Sequence, residues 1–348
     1  SSTNAQTCSA TGDWSGTRAV SSSEEVTINK EGSNTFTLSC SANGATSGSA
    51  SVQVTGVMNR INITDEIFLN RTSDCANYAD NYGSNVRDLT RVIGFEGYVD
   101  VEVFDTYCNL SSDNIPNHDF NDSSANFRTN VAEIDRVFSV KRDPQMAAEI
   151  SQINGQAWDA VMVNGVVVDV RSAGCYKPSE SRADADGNTE AGCGPNDEWM
   201  LIPLEYSTKF GEDIHNAHVQ PDGTYHYHGN PNAMFDDSPS GDGSPVIGFA
   251  ADGFPIYGSY ILDEQTGNYR KALSGYTVKQ GSRGERTDTN PGGDYTVLYE
   301  EDWEWTDSGD LDECNGMDYK GEYGCYITDS YTYIINCLKG EPDASFNK

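Results

Sequence analysis

The feature that most constrains this chain is a two-residue alternation that keeps recurring and never lasts long. Val99, Val101 and Val103 alternate with Asp100 and Glu102. Phe36, Leu38 and Cys40 alternate with Thr35, Thr37 and Ser39, and Val52 and Val54 flank Gln53. Successive side chains of a strand point to opposite faces, so each run can bury one face and wet the other. Gly, Asn, Ser and Pro punctuate the runs. The expected fold is mainly β, loop-rich, with few short helices. Strands are expected around Val26 and Ile28, at Phe36–Cys40, at Val52–Val54, at Val99–Val103 and at Arg136–Val140. Ala160 to Val170 reads as a hairpin turning at Asn164-Gly165. Asn85 to Ile93 reads as one short helix, and Cys75 as part of a polar loop.

Composition narrows the function classes. The 348 residues are 36% hydrophobic, enough to bury a core, and suit two domains. Acidic side chains number 54 against 22 basic, a formal charge of −32. Nucleic acid needs a basic face, so it is excluded as a partner, and an anionic membrane surface is disfavoured for the same reason. No apolar run approaches the roughly 20 residues of a membrane helix, so no membrane insertion is expected. Nine cysteines suit an oxidising compartment. The opening Ser-Ser-Thr, without Met or an apolar leader, reads as already processed. An extracellular location, secreted or at the cell surface, is expected. Asn62, Asn70, Asn109 and Asn121 head glycosylation sequons in form. Their number is near chance, and glycans remain candidate partners only. Residues 178–197 form an acidic, Gly- and Ser-rich loop, closed by Cys175 and Cys193. Asp184 to Glu190 has a faintly calcium-loop-like spacing with its glycine too early for an EF-hand. Calcium is a candidate at such acidic loops, and a solvated loop is the favoured reading.

The first 56 residues carry a resemblance. Cys8, Trp14-Ser15-Gly16, Thr37-Leu38-Ser39-Cys40 and Ser49-Ala50-Ser51-Val52-Gln53-Val54 stand in the order of the later strands of bacterial Ig-like domains. The resemblance implies a Cys8–Cys40 bridge and an incomplete β-sandwich module over residues 1–56. That family has further strands before the first cysteine, and this chain opens where they would end. Either the chain was cut from a longer protein, or the missing strand is supplied by another subunit, with Ser1 held by that partner as the favoured expectation.

Four of the five histidines lie within fourteen residues: His215, His218, His226 and His228. Gln220-Pro221-Asp222-Gly223 is a turn signal, and it leads into the short strand Thr224–His228. His226 and His228 share a face, Tyr225 and Tyr227 take the other, and His218 enters across the turn. Three convergent imidazoles can hold Zn or Cu. The alternative is a set of structural histidines bonded to carbonyls and carboxylates.

Tyr225-His226-Tyr227-His228 also carries a second resemblance, to the YHYH-domain family of secreted proteins. Asn114-Ile115-Pro116-Asn117-His118, Val163–Val166, His218–Thr224, Gly248–Gly258, Leu311–Gly316 and Cys337–Gly340 stand in that family's order. The match spans roughly residues 95–340, within a domain taken as 57–348. It brings in His118 as a fourth member of a metal site with His218, His226 and His228, and leaves His215 outside. It implies no reaction. Cys75–Cys108, Cys175–Cys193 and Cys314–Cys337 are candidate bridges of open connectivity, which leaves Cys325 odd.

For function, three readings compete. A metal-dependent Zn or Cu enzyme needs a base, for which Asp252 is the candidate, although Asp252 equally suits capping its own turn. No nucleophile elbow or phosphate loop appears. A monomeric metal-binding module is the second reading. The favoured one is a non-enzymatic secreted subunit that assembles with itself, as a homo-oligomer or fibril formed by strand complementation, with the histidines as a metal clasp. The high negative charge then requires cations or glycans at close contacts.

Overall fold

The computed structural model describes residues 5–21, 23–26, 32–44, 47–56, 59–194 and 196–348. Two compact units form, Ser1–Arg60 and Ile61–Lys348, four residues from the boundary expected between 56 and 57.

The smaller unit is an antiparallel sheet of β1 (Thr7–Gly12), β2 (Gly16–Arg18), β3 (Gly32–Ser41) and β4 (Gly48–Gly56), in the order β2-β1-β3-β4. The alternation sets its register. Cys8 faces Cys40, Ala10 faces Leu38, and Phe36 faces both Gly12 and Val52, so the apolar residues share one face. Trp14 meets Phe36 edge-on at 6.1 Å and Arg18 lies over the Trp14 ring. The Cys8–Cys40 bridge is present. It joins neighbouring strands of one sheet, whereas an Ig bridge joins two sheets. Among the described residues there is no second layer, so the Ig-like resemblance reaches the strands and the bridge and no further. Val26 is not in a strand, while Ile28 and Ser1 lie outside the described residues.

The larger unit begins with a five-stranded sheet of β5 (Ile61–Asn62), β6 (Asn81–Asp88), β7 (Ile93–Val103), β8 (Tyr107–Ser112) and β9 (Arg136–Lys141), in sequential order. Val99 and Val101 face inward, as their spacing requires. The helix expected at Asn85–Ile93 is not formed. Ser84, Val86 and Asp88 are buried at two-residue spacing, so this stretch completes β6 and turns into β7. Asp88 ends β6 and Arg91 lies in the turn that follows. Their 2.5 Å ion pair spans the turn. Cys75 opens a single 3-10 turn, Cys75–Tyr78, capped by Asp74, and is wholly buried by its bridge to Cys108 in β8.

A second sheet runs, strand by strand, through Ala217–Val219, Tyr225–Tyr227, Val167–Val168, Ala160–Met162, Val246–Ala250, Pro255–Tyr257, Glu322–Tyr326 and Gly316–Tyr319. Its inner strands are buried on both faces, which explains runs such as Val166–Val168 that do not alternate. The expected hairpin is there, with Ala160 opposite Val168. Its Gly165 sits at φ +85°, and a Cβ there would lie 2.6 Å from Ser112 Cβ and 2.7 Å from Val99 Cγ2. Ser112 Oγ donates to the Gly165 carbonyl at 2.7 Å. The hairpin tip is thus seated on β7 and β8. Cys175–Cys193 and Cys314–Cys337 are bridged, and Cys325 is free and buried. Among the described residues no helical element exceeds four residues.

Gly165→Ala should therefore lower the unfolding free energy by about 2–4 kcal/mol, from the positive φ and the clash together. Urea denaturation followed by tryptophan fluorescence checks this.

Candidate metal centre

The Ala217–Val219 and Tyr225–Tyr227 strands pair antiparallel with His218 directly opposite His226. The turn between them is held by Gln220 N to the Thr224 carbonyl at 2.9 Å and Gly223 N to the Gln220 carbonyl at 3.0 Å. Gly223 takes φ +99°, where a Cβ would meet the Ala132 Cβ at 2.7 Å. His228, two residues beyond His226, emerges on the same face. The three rings stand edge-to-face, their centroids 4.6 to 4.7 Å apart. One nitrogen from each converges within 4.8 Å of the others.

The Nδ1 atoms decide what the Nε2 atoms can do. His218 Nδ1 lies 3.0 Å from the Phe210 carbonyl, and His226 Nδ1 lies 3.2 Å from the Thr224 carbonyl. A carbonyl only accepts, so each of these nitrogens carries the proton and each Nε2 is left with its lone pair. This is how backbone carbonyls orient metal-binding histidines. His218 Nε2 and His228 Nε2 are 3.2 Å apart. Two nitrogens bound at about 2.0–2.1 Å to a tetrahedral ion lie about 3.3–3.4 Å apart, so the spacing fits a shared ion. Without one, His226 Nε2 and His228 Nδ1 have no hydrogen-bond partner although both are buried. The Val170 backbone acts on His228, but not in hydrogen-bond geometry.

The rings are kept neutral. Burial pushes His218 down to about 4, Arg128 acting with it and the Phe210 carbonyl against it. Burial holds His226 and His228 well below the ordinary range, helped by their mutual proximity.

His118 does not join this group. It lies on the tyrosine face of the same strand, because Tyr225 and Tyr227 point away from the histidines. Its Nε2 bonds the Tyr227 hydroxyl at 2.6 Å, and its ring stacks on His215 at 3.7 Å between centroids. His215 is tied by Nδ1 to the Pro231 carbonyl. Asn164 Nδ2 donates to the Tyr227 hydroxyl, and the Tyr225 hydroxyl donates to Asp213. Asn114 donates to the Tyr225 carbonyl and accepts from Val167 N. The Asn114–His118 segment and the Asn164 turn thus build a polar lattice behind the strand rather than ligands in front of it.

Asp252 is equally committed. Its carboxylate accepts from Phe254 N at 3.3 Å and Gly340 N at 2.9 Å, capping its turn and fastening it to the Cys337–Gly340 strand. At the acidic loop, Asp184 accepts from Asp186 N, Asn188 N and the Tyr206 hydroxyl. Asp197 lies within reach of Cys175 and Cys193, but both sulfurs are spent in their bridge. Of the sequon residues, Asn121 is buried with its amide donating to Asp88, while Asn62 is exposed. The sequence offered no cue for Phe210, whose carbonyl orients His218, nor for Trp158, whose ring lies 6.3 Å from that of His226. A cavity of about 160 Å³, lined by residues such as Phe68, Tyr78, Val163 and Phe249, contains none of these histidines.

Four disulfides, a β-rich core and a three-histidine cluster define a disulfide-stapled β protein of the kind found in oxidising compartments. No helix among the described residues is long and apolar enough to cross a membrane. The family model described as YHYH protein matches residues 137–340, more than half of the chain, and the chain belongs to that family. No curated protein matches it, and no solved structure does.

Two outcomes are expected. Unfolded histidines titrate near 6.5, above the native His218 at about 4 and His118 at about 3. Between these values the unfolded chain takes up protons that the native chain refuses. His218 should therefore withdraw about 2–3 kcal/mol from the metal-free protein as pH falls from about 6.5 toward 4, while the buried acids Glu212 and Glu300 act in the opposite sense, so it is read as the difference between urea melts of the unmodified chain and of His218→Asn across that range. Tyr227→Phe removes the hydroxyl that satisfies His118 and Asn164. It should cost about 1–3 kcal/mol and weaken, without abolishing, metal uptake in a dialysis assay, since Asn114 and Asp213 still hold Tyr225.

Proposed function

We propose that this chain is a secreted, non-enzymatic protein that holds one first-row transition ion, copper or zinc, between His218, His226 and His228. The observation that carries this is the convergence of one nitrogen from each of three imidazoles, two of which, His218 and His226, have their Nδ1 protons directed to backbone carbonyls. Bound there, the ion joins two neighbouring strands and the segment after the second, as a clasp. Support for a non-catalytic role comes from the surroundings: His226 and His228 are buried among rings, and Asp252, the one base singled out, is bonded to two backbone amides. Isothermal titration of metal-free protein should give one ion per chain, and saturation at 100 times Kd should raise stability by about 2.7 kcal/mol. His226→Asn and His228→Asn should abolish both. Unchanged melting with metal or chelator would return the histidines to a purely structural role.

A second element of the reading is self-assembly, favoured by one specific observation. β4 ends its sheet with no strand beyond it among the described residues, and Val52 and Val54 on it are 56% and 38% exposed. The sequence up to Arg60 carries only three basic and four acidic side chains, so nearly all of the −32 charge lies in the larger unit. A near-neutral edge strand is free of the repulsion that opposes contacts elsewhere on the chain. The paired substitution Val52→Lys with Val54→Lys should convert assemblies to monomers in light scattering and negative-stain microscopy. Uniform monomers of the unmodified chain at high concentration would remove this element.

A further inference from the structure

We propose that the three-histidine centre selects cuprous copper, a soft monovalent ion, over zinc. This rests on the metal-holding reading above and adds the identity of the ion. The donor set is three neutral imidazoles, with no thiolate and no carboxylate in the group. Eight cysteines are bridged, and Cys325 lies elsewhere, against the Cys314 carbonyl. An ion at this site therefore keeps its whole charge. The desolvation cost of an ion grows with the square of its charge, so a dication with no anionic ligand is penalised far more than a monocation.

The surroundings deepen that difference. The ring of Trp158 lies 6.3 Å from that of His226, and the ring of Phe210 lies 5.9 Å from that of His218. Charged groups that act on the three rings include Arg128 on His218, and Lys348 on His226 and His228. Both are cations. Lys348 Nζ sits 4.4 Å over the Trp158 ring. Arg128 is ion-paired with Glu190 and Lys348 with Asp169, which softens the bias. What repels a proton here repels Zn²⁺ twice as strongly as Cu⁺. Cupric copper is disfavoured by geometry. It prefers four donors in a tetragonal plane, and the three mutually edge-to-face rings leave the fourth place without a His, Cys, Asp or Glu.

The test uses the full chain, stripped of metal. Cu(I), kept reduced with ascorbate, is titrated against the chromogenic chelator bicinchoninate, and Zn²⁺ is titrated separately against a zinc indicator. One Cu(I) per chain with a Kd at least 100-fold below that for zinc is expected. Zinc binding as tight as or tighter than Cu(I) overturns the selectivity and leaves the metal centre standing. Binding of neither ion removes the metal centre and the selectivity together. Arg128→Gln, at an exposed side chain, isolates the charge effect at low salt. If charge sets the choice, the factor by which this variant tightens zinc is the square of the factor for Cu(I). Equal factors, or no change in either, overturn the electrostatic basis.

Discussion

One short strand, Tyr225–Tyr227, is the element on which the rest of the centre depends. Its alternation assigns two chemistries to two faces. On one side the tyrosine hydroxyls end in Asp213, His118 and Asn164. On the other, His226 faces His218 across the ladder, with His228 beside it. Each face needs the other. The tyrosine lattice immobilises the strand, and an immobile strand holds three nitrogens close together at positions where mobile side chains would relax apart. Buried polar groups that are fully satisfied lend this rigidity, and the residues Asn114 to His118 supply much of that satisfaction.

Charge is distributed by the same logic of burial. The formal −32 counts every carboxyl as ionised, yet burial holds Glu212 up to about 8, with Asp213 adding to it, and holds Glu300 up to about 7 against the pull of Arg171. Buried acids of this kind are partly or mostly protonated near pH 7, so the working charge is smaller than the formal one. What remains is surface charge on the larger unit, which keeps it soluble and raises the local concentration of cations. Among the described residues no carboxylate joins the His218, His226 and His228 group.

Much of this was legible from the residues. Alternation located β3, β4, β7 and β9, the Asn164-Gly165 turn located the hairpin, and strand periodicity placed His218, His226 and His228 together. The Cys8–Cys40 bridge implied by the first resemblance formed, and so did the three candidate bridges whose connectivity the sequence left open. Legibility failed where a local cue had two geometric meanings. Asn85 to Ile93 reads as a short helix, yet it completes β6 and turns, with Val86 and Asp88 buried in the core. His118 stands in a segment shared with the family, yet serves the back of the strand. The single-layer form of the first unit was also hidden, since alternation specifies faces and not what covers them.

The sequence alone determined the β-rich class, the oxidising chemistry of its cysteines and the shared face of three histidines, because strand periodicity and disulfide pairing are local or nearly so. Only the tertiary structure decided that His118 stands apart, that Asp252 is a cap, and that the carbonyls of Phe210 and Thr224 turn the imidazole lone pairs inward. These depend on groups brought together from distant parts of the chain, and on burial, which sets both the protonation of a ring and the cost of any charge placed beside it.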